Sequence, residues 1–348
     1  MSTQGIPYVE ALDIESPDQA VAYLQMTGLI AHNDEPRIEV LKGGVSNRTI
    51  LVEVAGERPF VLKQALLKLR VGTNWFSDPM RIHREARGLR VLEEICPPGT
   101  ITPLLFEDVS NHVIAMAAVP RPHENWKHKL LKEGPLENHV IQFAEILGHI
   151  QNESAHRKTV LSIFDDWTWF ESLRLEPYYE YTASQVDEAA GFFVQLLLET
   201  RAVRLALVHG DYSPKNILIY RDQLVLIDHE VVHFGDPAFD VGFSLSHLLS
   251  KSLHCRQFRE KFLKAAQTYI TRYLDVVSDH GFDPTFESRA TRHALGCMLA
   301  RVAGRSPLEY LSLAERQQQR KIILDLIHRS PASLLGLIDE FEKDLNCR

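Results

Sequence analysis

The chain has 348 residues, a formal net charge of −8 and four cysteines, with 45% hydrophobic and 24% charged residues. That length accommodates one large domain or two lobes with separate cores. The acidic balance argues against nucleic-acid binding, which needs a basic surface.

Cys96, Cys255, Cys297 and Cys347 form no CxxC pair, so a disulfide framework, a zinc ribbon and a thioredoxin-type site are not expected. Reduced thiols in a cytoplasmic protein are. Met1 to Pro7 is polar and lacks the apolar core of a secretory signal. The longest apolar runs, Val113–Pro120 and Phe192–Leu198, fall well short of the roughly 18 residues of a spanning helix, so no membrane partner is expected.

Along the chain, a helix is predicted at Pro17–Thr27, followed by strands at Ile38–Leu41, Thr49–Val54 and Phe60–Lys63. Gly43-Gly44 and the turn Ala55-Gly56-Glu57-Arg58 separate them. Asp78 then stands as an N-cap with Pro79 at the first helical position, and a helix runs to about Glu94. Strands at Ile101–Phe106 and His112–Val119 complete this part, which Pro120-Arg121-Pro122 ends.

Beyond residue 135 the periodicity is helical, near Glu137–Ser154, Ser184–Arg201, Phe239–Ser250, Arg256–Ser278, Arg289–Val302 and Pro307–Ile327. The β interruptions are Ala206–Val208, Asn216–Tyr220 and Leu224–Ile227, the last two reading as a hairpin joined by Arg221-Asp222-Gln223. The expected architecture is therefore α+β: residues 1–119 form a small β-sheet lobe with one key helix, and residues 120–348 a larger, mostly helical lobe containing the hairpin.

The hairpin carries the chemistry. It is embedded in Val208-His209-Gly210-Asp211-Tyr212-Ser213-Pro214-Lys215-Asn216-Ile217-Leu218 and ends in Leu226-Ile227-Asp228-His229-Glu230. Since a hairpin brings its ends together, Asn216 and Asp228 should be neighbours. An amide and a carboxylate suit Mg2+, which keeps several waters and takes further oxygens from phosphates. Asp211, one loop away, is placed to accept the proton of an attacking hydroxyl, and phosphoryl transfer asks little more of a protein than such positioning and charge neutralisation.

His209-Gly210-Asp211 followed by Asn216 resembles the catalytic loop of the aminoglycoside phosphotransferase and choline kinase superfamily, small-molecule relatives of protein kinases. Ile227-Asp228-His229-Glu230 resembles the metal-binding segment of that superfamily, and Gly235-Asp236-Pro237-Ala238-Phe239-Asp240-Val241-Gly242 resembles its continuation. The resemblance implies a two-lobed protein-kinase-like fold, with a nucleotide-binding lobe followed by a catalytic and substrate-binding lobe. It makes Asp211 the catalytic base and Asn216 and Asp228 the ligands of Mg2+. Glu230 adds a metal contact, as in the Asp-x-Glu of methylthioribose kinases, or simply an ion pair. Lys215 is assigned to the γ-phosphate, where protein kinases place a basic residue.

Lys63, ending a strand, stands where kinases present a lysine to the α- and β-phosphates, with Glu85 of the following helix as its expected partner. Lys42-Gly43-Gly44-Val45-Ser46-Asn47 resembles the Gly-Gly-x-Ser-Asn turns of the aminoglycoside family, so Ser46 and Asn47 are expected to approach phosphate. Adenine is expected against Met116-Ala117-Ala118-Val119, in particular Ala117 and Val119. The structural alternatives are an exposed strand lysine for Lys63, an exposed helix acid for Glu85 and a bare glycine hairpin for residues 42–47; Asp236 and Asp240 read as structural, Asp240 as an N-cap or a brace for the catalytic loop, and His229 and His233 as packing residues.

The cofactors implied are ATP and Mg2+, with GTP left open, and the partner is a small-molecule hydroxyl acceptor. The acceptor is an aminoglycoside, a sugar or an amino alcohol. Gln64–Arg70, Asn74-Trp75-Phe76 and the Asp-x-Glu resemble methylthioribose kinases, in which basic residues late in the chain serve the sugar, and Arg301 and Arg305 are candidate counterparts. Asp165–Glu171 reads equally as a pocket wall for an amine or sugar and as a solvated helix start. An acidic wall facing Asp211 would point to amines, a neutral or arginine-bearing one to a sugar. The alternative from another class is a catalytically inactive nucleotide-binding module, and a homodimer is one of the oligomeric states left open.

Overall fold

The computed structural model describes residues 12–41, 46–70, 76–155, 157–277 and 283–347. The chain divides into two compact units, Met1–His83 with Pro103–Ala118, and Arg84–Thr102 with Val119–Arg348. The helix Arg81–Ile95 therefore starts in the first unit and continues in the second.

In the first unit five antiparallel strands, β1 (Arg37–Val40), β2 (Asn47–Glu53), β3 (Phe60–Ala65), β4 (Leu104–Asp108) and β5 (Val113–Ala117), are ordered β1-β2-β3-β5-β4. Alternation decides which face is covered. Ile50 and Val52 of β2, Phe60 and Leu62 of β3, and Val113 and Ala115 of β5 share one buried cluster with Tyr23 and Leu24 of the helix Pro17–Met26. Lys63 has the opposite parity to Leu62, so it leaves that core face, in register with Thr49 and Ile114.

The second unit is mainly helical. Its small three-stranded sheet is ordered β6-β8-β9, formed by β6 (Glu124–Asn125), β8 (Ile217–Tyr220) and β9 (Gln223–Leu226). A two-stranded piece pairs β7 (Ala206–Val208) with β10 (His233–Gly235). The β8–β9 turn is tighter than the spacing predicted: Tyr220 pairs directly with Gln223, and Arg221 and Asp222 both take positive φ (49° and 62°). Left-handed residues match such a turn to strand twist. Without a glycine there, side chains hold it, as the Asp222 carboxylate meets His139 Nε2 at 2.6 Å and its carbonyl accepts from Gln142 Nε2 at 3.0 Å.

The helices Glu137–Ser154, Ala238–His254, Arg259–Val277 and Phe286–Ala303 form the core below this sheet. Ala238–His254 is buried almost along its whole length, which suits its run of small and apolar residues. Gly242 is the closest approach: a Cβ there would lie 2.6 Å from Ala290 O and from Ala294 N of the helix Phe286–Ala303. Among the described residues no helix is long and apolar enough to cross a membrane.

Because that contact is with backbone, Gly242→Ala is expected to lower the unfolding free energy by about 1–3 kcal/mol. Urea denaturation checks this, and an unchanged midpoint would contradict the close packing.

Candidate active site

The residues His209–Asn216 cross from β7 to β8 as a loop fixed from several sides. Gly210 has φ +76°, and a Cβ on it would lie 3.1 Å from the Val231 carbonyl oxygen, so a side chain is excluded here on both counts. Asp240, in the first turn of Ala238–His254, accepts from His209 N at 2.6 Å and from Gly210 N at 2.9 Å. It is thus a brace of the loop. Burial pushes its carboxyl up to about 7, even though those two donors pull the other way.

Tyr212 stacks on Phe143 (centroids 4.4 Å apart) and donates to the Phe143 carbonyl at 2.6 Å, while Ser244 Oγ donates to the Tyr212 carbonyl at 2.8 Å. Asn216 closes the loop, its Nδ2 donating to the Asp211 carbonyl at 2.9 Å. On the next strand Ile227 N donates to the Asn216 carbonyl at 3.0 Å, so the hairpin does bring Asn216 beside the segment that leads into Asp228. Asp228 itself has φ +71°, the left-handed conformation that turns the chain sharply out of β9. One residue on, His229 N lies 3.4 Å from Glu85 Oε1, tying the helix Arg81–Ile95 to this segment within the second unit.

At the centre lies the Asp211 side chain, 3% exposed. Its Oδ2 takes two cations, Lys215 Nζ at 2.8 Å and Arg174 Nη2 at 2.9 Å. Its Oδ1 is buried with no hydrogen-bond partner among the described residues. Burial alone would raise this carboxyl, but Arg174 and then Lys215 outweigh it and hold the group below its ordinary range, with Asp228 pushing weakly the other way. The carboxylate is therefore ionised at neutral pH. Arg174 is itself anchored, donating from Nε to the Gly210 carbonyl at 2.6 Å and from Nη1 to the Leu173 carbonyl at 2.7 Å.

Arg174 is the residue that the sequence does not reveal. It sits in a π-helical stretch, Glu171–Glu180, with Pro177 inside it, far from the loop in sequence and without a motif. The neighbouring Asp165–Glu171 stretch is a helix start: Asp166 Oδ1 accepts from Thr168 N at 2.9 Å and its Oδ2 pairs with buried Arg84 at 3.1 Å.

Glu230 is buried two residues beyond Asp228. Asp236 is held by Arg289 (Nε to Oδ2, 2.7 Å) and caps Ala238 N, a structural position. His229 and His233 are buried, His233 stacking on Phe170 at 3.9 Å.

The remaining sequence candidates belong to the first unit, apart from Val119, Arg301 and Arg305, the last of which pairs with Glu176 at 2.6 Å. Residues 42–45 of the glycine turn lie outside the described residues, as do Asn74 and Trp75. Ser46 and Asn47 are buried; Asn47 Nδ2 donates to Ser46 Oγ at 3.2 Å, and Leu66 N and Arg81 Nη2 donate to the Ser46 carbonyl. Lys63 is half-buried on β3. Ala117 N donates to the Pro103 carbonyl at 2.9 Å and Ala118 N to the Pro59 carbonyl at 3.1 Å. In the second unit the Val119 carbonyl lies 3.1 Å from His123 Nδ1.

Residues 37–278 match the model of the phosphotransferase enzyme family. The chain belongs to that family. A methylthioribose kinase of Pectobacterium atrosepticum is 26% identical over 261 residues, covering 67% of this chain and 64% of that protein. One from Pectobacterium carotovorum is 27% identical over 215 residues, covering 54% of this chain and 53% of its own length. The chain thus spans less than two thirds of these kinases.

Among solved structures, the amicoumacin kinase hAmiN, in complex with AMP-PNP, Ca2+ and Ami, matches with a TM-score of 0.58 at 12% identity, over 89% of this chain and 95% of that one. Choline kinase from Cryptosporidium parvum matches at 0.56 and 12%, over 93% and 99%. At these identities the likeness is one of fold, and the fold of this family member is the expected kinase-like α+β one.

Asp240→Asn turns one acceptor into a donor facing a backbone N–H and is expected to cost about 1–3 kcal/mol of stability. A carboxyl raised in the folded state from 3.8 to about 7 gives stability that is complete below 3.8 and lost as pH rises through about 7. The deficit of the variant relative to wild type should therefore narrow as pH rises, as thermal denaturation across that range would show. A deficit that widened with pH would contradict it.

Proposed function

We propose that this protein is a phosphotransferase that moves the γ-phosphoryl group of ATP to a hydroxyl of a small molecule, with Asp211 as the base. Asp211 Oδ1 is the observation that carries the reading. It is a buried acceptor with no partner among the described residues, on a carboxylate whose other oxygen is fixed by two cations. Such an orphaned lone pair is costly unless a donor arrives. A hydroxyl donor fits it.

ATP with Mg2+ supplies the activated phosphoryl group. Asn216 and Asp228, at the two ends of the hairpin, offer the amide and carboxylate oxygens that a hard cation prefers, with Glu230 two residues on. Among the described residues no group of three or more His, Cys, Asp or Glu side chains forms a metal cage. That composition suits an ion that completes its shell with phosphate and water. Lys63 is assigned to the α- and β-phosphates, Glu85 to support in the second unit, and Ser46, Asn47, Ala117 and Val119 to the nucleotide.

Asp211 receives the hydroxyl proton as the acceptor oxygen bonds to the γ-phosphorus and the bond from that phosphorus to ADP breaks. Because the carboxyl is held ionised, it is ready to do so at neutral pH. Lys215 shares Oδ2 and is half-exposed, so its ammonium is placed to turn toward incoming phosphate. Arg174 is almost fully covered and stays as the fixed partner that sets the carboxylate plane. It is a positioning residue.

Asp211→Asn is expected to cut phosphoryl transfer roughly a thousandfold while leaving ATP binding intact, as ADP release and nucleotide titration would measure. Full turnover in that variant would overturn the assignment. Arg174→Met should raise the acid limb of the pH–rate profile, since the counter-charge that depresses Asp211 is gone. A limb that stayed in place would remove Arg174 from this role.

A further inference from the structure

Three basic side chains of the second unit, Lys251, Arg301 and His247, lie buried and form no ion pair among the described residues. Lys251, 1% exposed, stands late in the helix Ala238–His254, where its Nζ reaches the His247 carbonyl at 3.3 Å and lies 5.3 Å from the centre of the Tyr310 ring. Arg301, 6% exposed, donates from Nη1 to the Ser306 carbonyl at 2.8 Å and to Ser306 Oγ at 3.1 Å. Its Nε is buried with no partner among the described residues. His247, which feels both charges, sets its ring edge-on to Phe243 at 5.0 Å, and its Nε2 is buried with no partner among the described residues.

The carboxylate that acts on Lys251 is Glu309, which is already committed to an ion pair with Lys127 and also feels Arg301. Burial, followed by the like charge of Lys127, pulls the Lys251 ammonium down to about 7. Burying an ion without a partner costs several kcal/mol. One carboxylate, Glu309, thus faces three cations, Lys127, Lys251 and Arg301, and a further anion would balance them.

Position ties this group to the reaction. The Tyr178 ring has one guanidinium on each account, Arg301 Cζ at 4.8 Å and Arg174 Cζ at 5.9 Å from its centre. Arg174 is the residue that grips Asp211, and Lys215, the other cation on Asp211, is among the charges that act on His247. Arg301 thus shares the Tyr178 ring with the arginine that holds the base, and Lys251 lies within electrostatic range of Arg301.

We propose that the acceptor is a small hydroxy compound carrying an anionic group, a carboxylate or a phosphate, which Arg301 and Lys251 bind while its hydroxyl meets Asp211. The proposal rests on the phosphotransferase reading and narrows its substrate class. A cationic aminoglycoside or amino alcohol would meet like charge here, and a neutral sugar would leave both cations uncompensated. Arg301 gives a planar fork suited to either oxyanion, and Lys251 a point charge beside it.

The test offers the protein, with ATP and Mg2+, four sets of size-matched hydroxyl compounds and reads ADP release. The sets are hydroxycarboxylates (glycerate, 4-hydroxybutyrate), phosphorylated polyols (glycerol 3-phosphate), neutral polyols and sugars, and cationic amino alcohols. Turnover is expected in one of the two anionic sets, which also tells carboxylate from phosphate. In Lys251→Met and in Arg301→Met the acceptor KM should rise about tenfold or more, with KM for ATP within about twofold of wild type. Preferential turnover of a neutral or cationic compound would overturn the anionic acceptor and leave the kinase reading standing.

Thermal melting with ADP and Mg2+ separates the two further. Each anionic compound is added in turn, and at least one should raise the Tm of wild type but not of Lys251→Met. If none does, the anion site falls whatever the turnover; if one does while nothing is phosphorylated, the site stands and the kinase reading falls. Without ligand, Lys251→Met should melt no lower than wild type, because a thioether of similar length replaces a desolvated ammonium. A lower Tm would make Lys251 a structural residue and overturn its assignment.

Discussion

A single buried carboxylate organises this molecule. Asp211 stays ionised out of water only because Arg174 and Lys215 both reach its Oδ2, and neither could do so unless the loop were held to its course. Asp240 takes the two backbone amides that precede it, Tyr212 is pinned between Phe143 and Ser244, and Asn216 returns a hydrogen bond to the Asp211 carbonyl. Asp240 and Ser244 come from the helix Ala238–His254, Phe143 from Glu137–Ser154, and Asn216 from the turn that leads into β8. The helical core beneath, with Gly242 letting two helices meet at backbone distance, keeps those elements in place. Electrostatics at the centre is thus sustained by packing at the periphery.

Much of this was legible in the chain because local chemistry and tertiary role coincide. The hairpin could be read from two short apolar runs around a polar turn, and the strand that carries Lys63 from its apolar run, although it continues past Lys63 to Ala65. Asp78 and Pro79 announced the helix that carries Glu85; Asp78 Oδ1 accepts from Met80 N at 2.9 Å. Asp240 was read as a cap or a brace, and its two bonds to the loop make it a brace. Where length is short or period irregular, pattern fails. The strands β6 and β10 are too brief to alternate, and β10 is extended only because β7 pairs with it. Trp126–Glu133 and Leu334–Asn346 were passed over, the first behind a run of prolines and the second beyond the last motif.

Arg174 shows the deeper limit. Its helix widens to the π form around Pro177, so neither heptad nor 3.6 spacing identifies the face that it presents. Only the folded chain puts its guanidinium on a carboxylate at the far end of a loop. Charge behaves in the same way. The net charge of −8 argues against a nucleic-acid surface, yet it conceals buried cations on two separate helices, Lys251 and Arg301. Summed charge speaks of solubility, and only burial and proximity speak of ligands. Arg301 stands out by its place late in the chain, but its electrostatic link to Lys251 is visible only in the fold.

The direct test of the central claim is the titration of the Asp211 side chain itself, followed by carbon-13 NMR of labelled aspartate and assigned through Asp211→Asn. The double ion pair predicts a midpoint below the ordinary value of 3.8 in the ligand-free protein. A midpoint above that value would mean that burial wins over Arg174 and Lys215, and the account of a base kept ionised by two cations would be wrong.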